Sequence, residues 1–165
     1  MQVLFRLFLK ILLLKQGPQD IPYSKGLTFF LLVLHMLTGL MLLGLSQTFS
    51  QALYSALTST VIMVAFVQIM LITHRKDIRL LQTLSALAGV EILLGLFSIP
   101  LTMLYQNGIS DPLVIGMLSL TIIGWNGMVA GHIFTHALGN NRALGFSYAA
   151  FYLFVAIIFS STMSV

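Results

Sequence analysis

The sequence predicts an all-α membrane protein: a five-transmembrane-helix bundle with an N-terminal amphipathic interfacial helix. Three observations carry that expectation. The 165-residue chain is 58% hydrophobic and only 7% charged, where a soluble domain carries about 25% charged residues. Its long apolar runs approach or exceed the ~20 residues a spanning helix needs, and they consume nearly the whole chain, with no stretch left for a separate soluble domain. All eight Lys and Arg residues fall on one side when the chain is read as five spans, and a short-loop bias of that kind sets orientation with the basic side in the cytoplasm.

Leu4, Phe5, Leu7, Phe8, Ile11 and Leu12 surround a polar stripe of Gln2, Arg6 and Lys10. Residues 1–16 therefore read as an interfacial helix whose Arg6, Lys10 and Lys15 reach lipid headgroups; a partner-binding helix is the other reading. No small-residue cleavage site follows, so the segment does not read as a signal peptide. Gly17 and Pro18 are expected to end the helix, and residues 17–26 form a linker kept extended by Pro22. The spans follow at about 27–45, 53–73, 80–105, 113–138 and 143–163. Basic residues Lys25, Arg75, Lys76, Arg79 and Arg142 flank or join them on one side. The connections around Ser46–Gln51 and 106–112 carry none. The latter, with Asn107, Gly108, Ile109, Ser110, Asp111 and Pro112, is a strong turn signal. An odd span count leaves the N-terminus inside and the C-terminus outside.

The formal charge of +4 reads as topology and contact with anionic lipid rather than as a nucleic-acid patch. With no cysteine in the chain, disulfides, thiolate metal sites and cysteine nucleophiles are excluded. There is no glycine-rich phosphate loop after a strand and no serine–histidine–acid set, so no enzyme signature is present. Five spans do not divide into the inverted halves of many transporters.

Small residues mark where helices can approach. Ser85 and Gly89 on span three, and Gly127 and Gly131 on span four, each stand four apart. Such faces let backbones pack closely in lipid, where no hydrophobic drive operates between helices. They predict spans three and four as the centre of the bundle. Pro100 frees the carbonyl of Leu96 within span three and is expected to kink it.

Glu91 is the single carboxylate inside a span, about 16 Å from the basic end at 1.5 Å per residue. A charge there costs at least ~2.5 kcal/mol, so Glu91 should face the bundle. Asn126 on span four lies at about 18 Å by the same rise, which predicts a Glu91–Asn126 hydrogen bond. That pair is either a polar clip holding two helices in register or part of a proton relay. His35, about 12 Å deep on span one, competes for Glu91. His132 and His136 share a helix face at i and i+4, and with His35 they are the candidates for haem or metal ligation. No acid stands beside them in sequence, and no cofactor is expected. Trp125 falls near mid-membrane rather than in an interfacial belt, so its indole N–H needs a buried partner.

The five-span layout, the Pro18-Gln19-Asp20-Ile21-Pro22 element before span one, and the Trp125 to Gly131 stretch of span four resemble the prokaryotic branch of the Yip1 superfamily over about residues 27–165. The resemblance implies a small polytopic fold in a bacterial cytoplasmic (inner) membrane. Eukaryotic members carry an Asp-Leu-Tyr-Gly-Pro type motif in a longer cytoplasmic arm, of which Gly17-Pro18 alone is matched, so a small-GTPase role is not implied. Absent catalytic motifs and glycine-lined faces predict a non-enzymatic accessory subunit or membrane-organising factor, its partners the bilayer and either another membrane protein or a second copy. The alternative is a small transporter or proton-coupled channel centred on Glu91.

Overall fold

The computed structural model describes the backbone of residues 2–108 and 111–163 and side chains as far as Phe159. Ile109 and Ser110 of the expected turn, Met1 and the last two residues lie outside the described set. Among the described residues there are six α-helices and no strand. They are α1 (Gln2–Leu12), α2 (Lys25–Leu43), α3 (Phe49–Thr73), α4 (Leu80–Gln106), α5 (Pro112–Ala137) and α6 (Arg142–Met163). Helices α2 to α6 are each long and apolar enough to cross a membrane.

Helices α2, α3, α5 and α6 start earlier than hydropathy alone places them, because polar caps belong to the helix and not to the loop. The Ser24 hydroxyl accepts from the Leu27 N–H at 3.3 Å and starts α2 at Lys25. Thr48 donates to the Gln51 side chain through its N–H and its hydroxyl, at 3.3 and 2.8 Å, ahead of α3. The Asp111 carboxylate accepts from the Leu113 N–H at 2.8 Å and opens α5 at Pro112. Helix α1, by contrast, ends at Leu12, not at Gly17 and Pro18. Leu14 takes a left-handed conformation (φ 60) and the Lys15 N–H reaches the Lys10 carbonyl at 2.8 Å, the six-to-one bond of a Schellman end made without glycine. Residues 17–26 are not simply extended either, since Pro18–Asp20 form a 3₁₀ turn whose Asp20 carboxylate accepts from the Gly17 N–H at 3.0 Å.

The connections that carry basic residues gather at one end of the bundle. Arg79 at the head of α4 donates to the carbonyls of His136 and Ala137 at 2.7 and 3.2 Å, so its charge answers the orphan carbonyls and partial negative charge at the foot of α5. His74 after α3 meets the Tyr148 hydroxyl on α6 at 3.0 Å, and Gln82 donates to the Ile21 carbonyl at 2.7 Å. At the opposite end Gln106 donates to the Leu45 carbonyl at 2.6 Å.

Helix α4 is the central element: Thr83 to Val90 are buried without interruption. The expectation that α5 shares the centre holds only for its last three turns, where Val129 to Phe134 are buried apart from the half-buried His132; Leu113, Met117 and Leu120 are exposed. Beyond Leu94, α4 also turns outward, with Leu96, Phe97 and Met103 exposed. The bundle is therefore dense in its basic half and splayed in the other. Pro100 lies in the splayed half, and α4 runs through it as one helix to Gln106.

The small-residue faces do not join α4 to α5 as predicted. A Cβ on Gly89 would run into the Phe8 ring of α1; one on Gly127 would meet Leu153 of α6 at 2.7 Å; one on Gly131 would meet Phe146 of α6 at 2.6 Å. Ser85 instead bonds α2, its hydroxyl 2.9 Å from that of Thr28, both buried. Each small residue serves a different neighbour because sequence spacing fixes which positions share a face, not which helix that face meets.

Helix α1 is docked in the bundle rather than laid across its end. Phe8, Ile11 and Leu12 are buried, while Arg6, Lys10 and Lys15 are exposed. The Trp125 indole N–H donates to the Leu12 carbonyl at 3.1 Å, and His132 bonds the Gln16 carbonyl at 3.0 Å. Trp125 precedes the foot of α5 by about 18 Å of helix and His132 by about 8 Å. Residues 12–16 thus run back along α5 toward the basic end. Helix α1 therefore covers the flank of α4 and α5 and returns through its Schellman turn.

Candidate functional site: a polar cleft within the spans

Glu91 does not bond Asn126. Its Oε1 accepts from the Tyr152 hydroxyl at 2.9 Å, and its Oε2 stands 3.5 Å from His35 Nδ1. Three helices supply this centre at one height. His35 is the tenth residue beyond the start of α2, Tyr152 the tenth beyond the start of α6, and Glu91 the eleventh beyond the start of α4, all about 15–16 Å from the basic end. The earlier start of α2 brings His35 level with Glu91. The direction in which Glu91 faces follows from Gly95, four residues on and so on the same face. A Cβ at Gly95 would meet Thr38 of α2 at 2.8 Å. That face looks at α2, and Thr38 lies one turn above His35.

The side chains of Glu91 and His35 are 13% and 14% exposed. The exposure is to a cavity of about 400 Å³ walled by His35, Thr38, Glu91, Ser98, Asn126 and Tyr152, among others. Asn126 and Glu91 thus share a height and face one cavity without touching. A second cavity of about 250 Å³ has Gly39, Leu42, Ser59 and Tyr152 in common with the first and continues past Ser55 to Gln47. Since Gln47 lies between α2 and α3, these two adjoining cavities, together the cleft, extend from Glu91 toward the end without basic residues. At ~30 Å³ per molecule the inner part has room for on the order of ten waters.

Two buried acceptors along this cleft, Asn126 Oδ1 and Gln47 Oε1, have no hydrogen-bond partner among the described residues. Leaving a buried polar atom unpaired costs roughly 1–3 kcal/mol. Gln47 and Asn126 each line one of the two cavities. Of the remaining polar lining, Thr38 and Ser98 donate to the carbonyls of Leu34 and Leu94 at 2.9 Å, so their hydroxyl oxygens keep free lone pairs.

The other candidates separate from this centre. His132 and His136 share a face, with ring centroids 4.5 Å apart and edge-to-face, but His35 is engaged by Glu91 and His132 by Gln16, so no facing pair of the kind that holds haem is formed by these contacts. Among the described residues no three His, Cys, Asp or Glu side chains cluster as metal ligands. Sequence reasoning missed Tyr152 altogether. Its signal was available, since counting ten residues from Arg142 gives the height of Glu91, but a Tyr in an aromatic-rich span reads as filler. Comparison with family models, with curated proteins and with solved structures finds no match to this chain.

Proposed function

We propose that the chain is a small transporter that conducts protons across the membrane, in which Glu91 is the proton-loading group and His35 and Tyr152 are its partners. One observation carries the reading: a carboxyl, an imidazole and a phenol from three helices converge at mid-span on the wall of a cleft. A carboxylate alone at that depth is costly. Beside His35 the proton can reside on either group while the pair stays net neutral. Tyr152 holds the carboxyl toward the cleft. The dense basic half, closed by Thr28 and Ser85, blocks the other side, so release there requires the helices to move.

An accessory subunit acting through helix packing alone needs neither a cleft nor unpaired acceptors, and that reading ranks second. In both readings the basic end is cytoplasmic, the N-terminus is inside and the C-terminus is outside, with the segregation of Lys and Arg as support; a bacterial inner membrane is carried by the Yip1-type resemblance alone. The likeness in layout to Yip1-type proteins is kept as a proposal about fold only.

The test is proton movement in liposomes containing the purified chain, followed with an entrapped pH-sensitive dye under an imposed pH gradient with potassium and valinomycin. The wild type should collapse the gradient faster than Glu91→Gln, which retains shape and hydrogen bonding but does not titrate. Equal rates for the two, or a wild type no faster than protein-free liposomes, would refute the proposal.

A further inference from the structure

A separate cavity of about 330 Å³ lies at the basic end, lined by His132, Thr135, His136, Asn140, Arg142 and Phe146. Local sequence explains its shape. The last two turns of α5 present His132 and His136 on one face. Gly139 (φ 89) and Asn140 (φ 68) are both left-handed, which reverses the chain within three residues and brings Asn140 and Arg142 over the two imidazoles. A Cβ on Gly145 would collide with Thr135, including its backbone N at 2.5 Å, so α6 starts hard against α5. Phe146 stacks over Gly131, at 2.6 Å from where a Cβ would be, and forms the apolar wall.

The chemistry of the lining is one-sided. Arg142, His136 and Asn140 carry N–H donors, and no carboxylate lines the cavity. Arg142 has no ion-pair or hydrogen-bonding partner among the described residues, where the single ion pair is that of His35 with Glu91. Because a carbonyl only accepts, the His132 nitrogen facing Gln16 carries its proton, which leaves the ring fixed and its other nitrogen directed elsewhere. A metal ion is disfavoured by the guanidinium in the wall and by the lack of a third ligand. An anion with several acceptor oxygens fits, since Arg recognises phosphate through paired N–H donors. The volume is at the small end of ligand sites, enough for a phosphate and its first substituent. Asp20 is close enough to His136 for their charges to interact, and its carboxylate opposes an anion.

We infer that this cavity is a phosphate-binding site formed by Arg142, His136 and Asn140, with the His132 ring as part of its wall. The source of the phosphate is either an anionic phospholipid headgroup or a free phosphate. It is independent of the cleft around Glu91, and its failure would leave the transporter reading standing.

The experiment uses the purified full chain in a non-ionic, phosphate-free detergent, titrated calorimetrically with inorganic phosphate and, separately, with short-chain phosphatidic acid. Binding of either probe should weaken about tenfold or more in Arg142→Ala and in His136→Ala, the loss of one charge-assisted hydrogen bond. Asp20→Asn should tighten it, and Lys76→Ala, on the same end but outside the cavity, should leave it within twofold. Binding of the lipid alone assigns the site to a headgroup, of inorganic phosphate alone to a free anion, and of both to phosphate in either form. No binding of either probe would overturn the inference. So would binding that Lys76→Ala weakens as much as Arg142→Ala, which marks diffuse attraction to a basic surface, and so would binding that Arg142→Ala leaves unchanged.

Discussion

The Tyr152 hydroxyl donates to the Glu91 carboxyl across 2.9 Å, joining α6 to α4 at the inner end of the cleft. That bond makes Tyr152 a positioning group. Tyr152→Phe keeps the ring and its tilted contact with Phe66 but removes the donor. The rate of gradient collapse should fall roughly tenfold or more, on the scale of one hydrogen bond to a charged group, while thermal stability in detergent changes little. A rate equal to wild type would remove Tyr152 from the mechanism.

Gly145 should tolerate substitution least among the glycines of α5 and α6. A Cβ there meets the backbone of Thr135, which cannot rotate away, whereas at Gly127 it meets only the end of the Leu153 side chain, and at Gly124 nothing lies within 4 Å. Overpacking costs typically 1–3 kcal/mol. Gly145→Val should lower the unfolding midpoint in detergent by that order, and Gly124→Val should not. Equal midpoints would show that the α5–α6 contact does not require close approach.

Thr28 and Ser85 form the register clip that the sequence reading assigned to Glu91 and Asn126. Hydrogen bonds between membrane helices average about 0.6 kcal/mol in double-mutant cycles and reach about 1.7 at most. A cycle of Thr28→Val and Ser85→Ala, read by reversible unfolding, should return a coupling energy within that range. Strict additivity would mean that the two hydroxyls are neighbours without being partners.

Docking of α1 rests on Phe8 over the bare backbone of Gly89. Gly89→Leu should therefore expel α1 while α2 to α6 remain assembled. Trp125 is the only tryptophan and bonds the Leu12 carbonyl, so its emission should shift and trypsin should cut at Lys10 and Lys15 faster. Unchanged emission and unchanged cleavage would show that α1 is not held by this contact.

Span number and the gathering of basic connections were legible in the sequence because both depend on composition along the chain. The height of the polar centre was legible too, since rise per residue is constant. What a linear reading lacks is the rotation of each helix about its axis. Glu91 and Asn126 match in height yet face a common cavity rather than each other, because the face shared by Glu91 and Gly95 is turned to Thr38 of α2. The same gap misassigned Gly89, Gly127 and Gly131. Leu14 shows a second limit: a helix can end on a left-handed leucine three residues before the glycine and proline that advertise its end.

The claim on which the account turns is that the cleft is open to water from the end without basic residues as far as Glu91. Because the chain has no cysteine, single substitutions can report this cleanly, and a thiol reacts with a charged thiosulfonate only where water lets it ionise. Thr38→Cys and Ser98→Cys face the cleft; Leu37→Cys, on the outer surface of α2, is the lipid-facing control. In sealed vesicles of known orientation, Thr38→Cys and Ser98→Cys should label from the side of the Gln47 connection and not from the basic side, with Leu37→Cys unlabelled from both. Failure of both cleft positions to label, or labelling only from the basic side, would contradict the account.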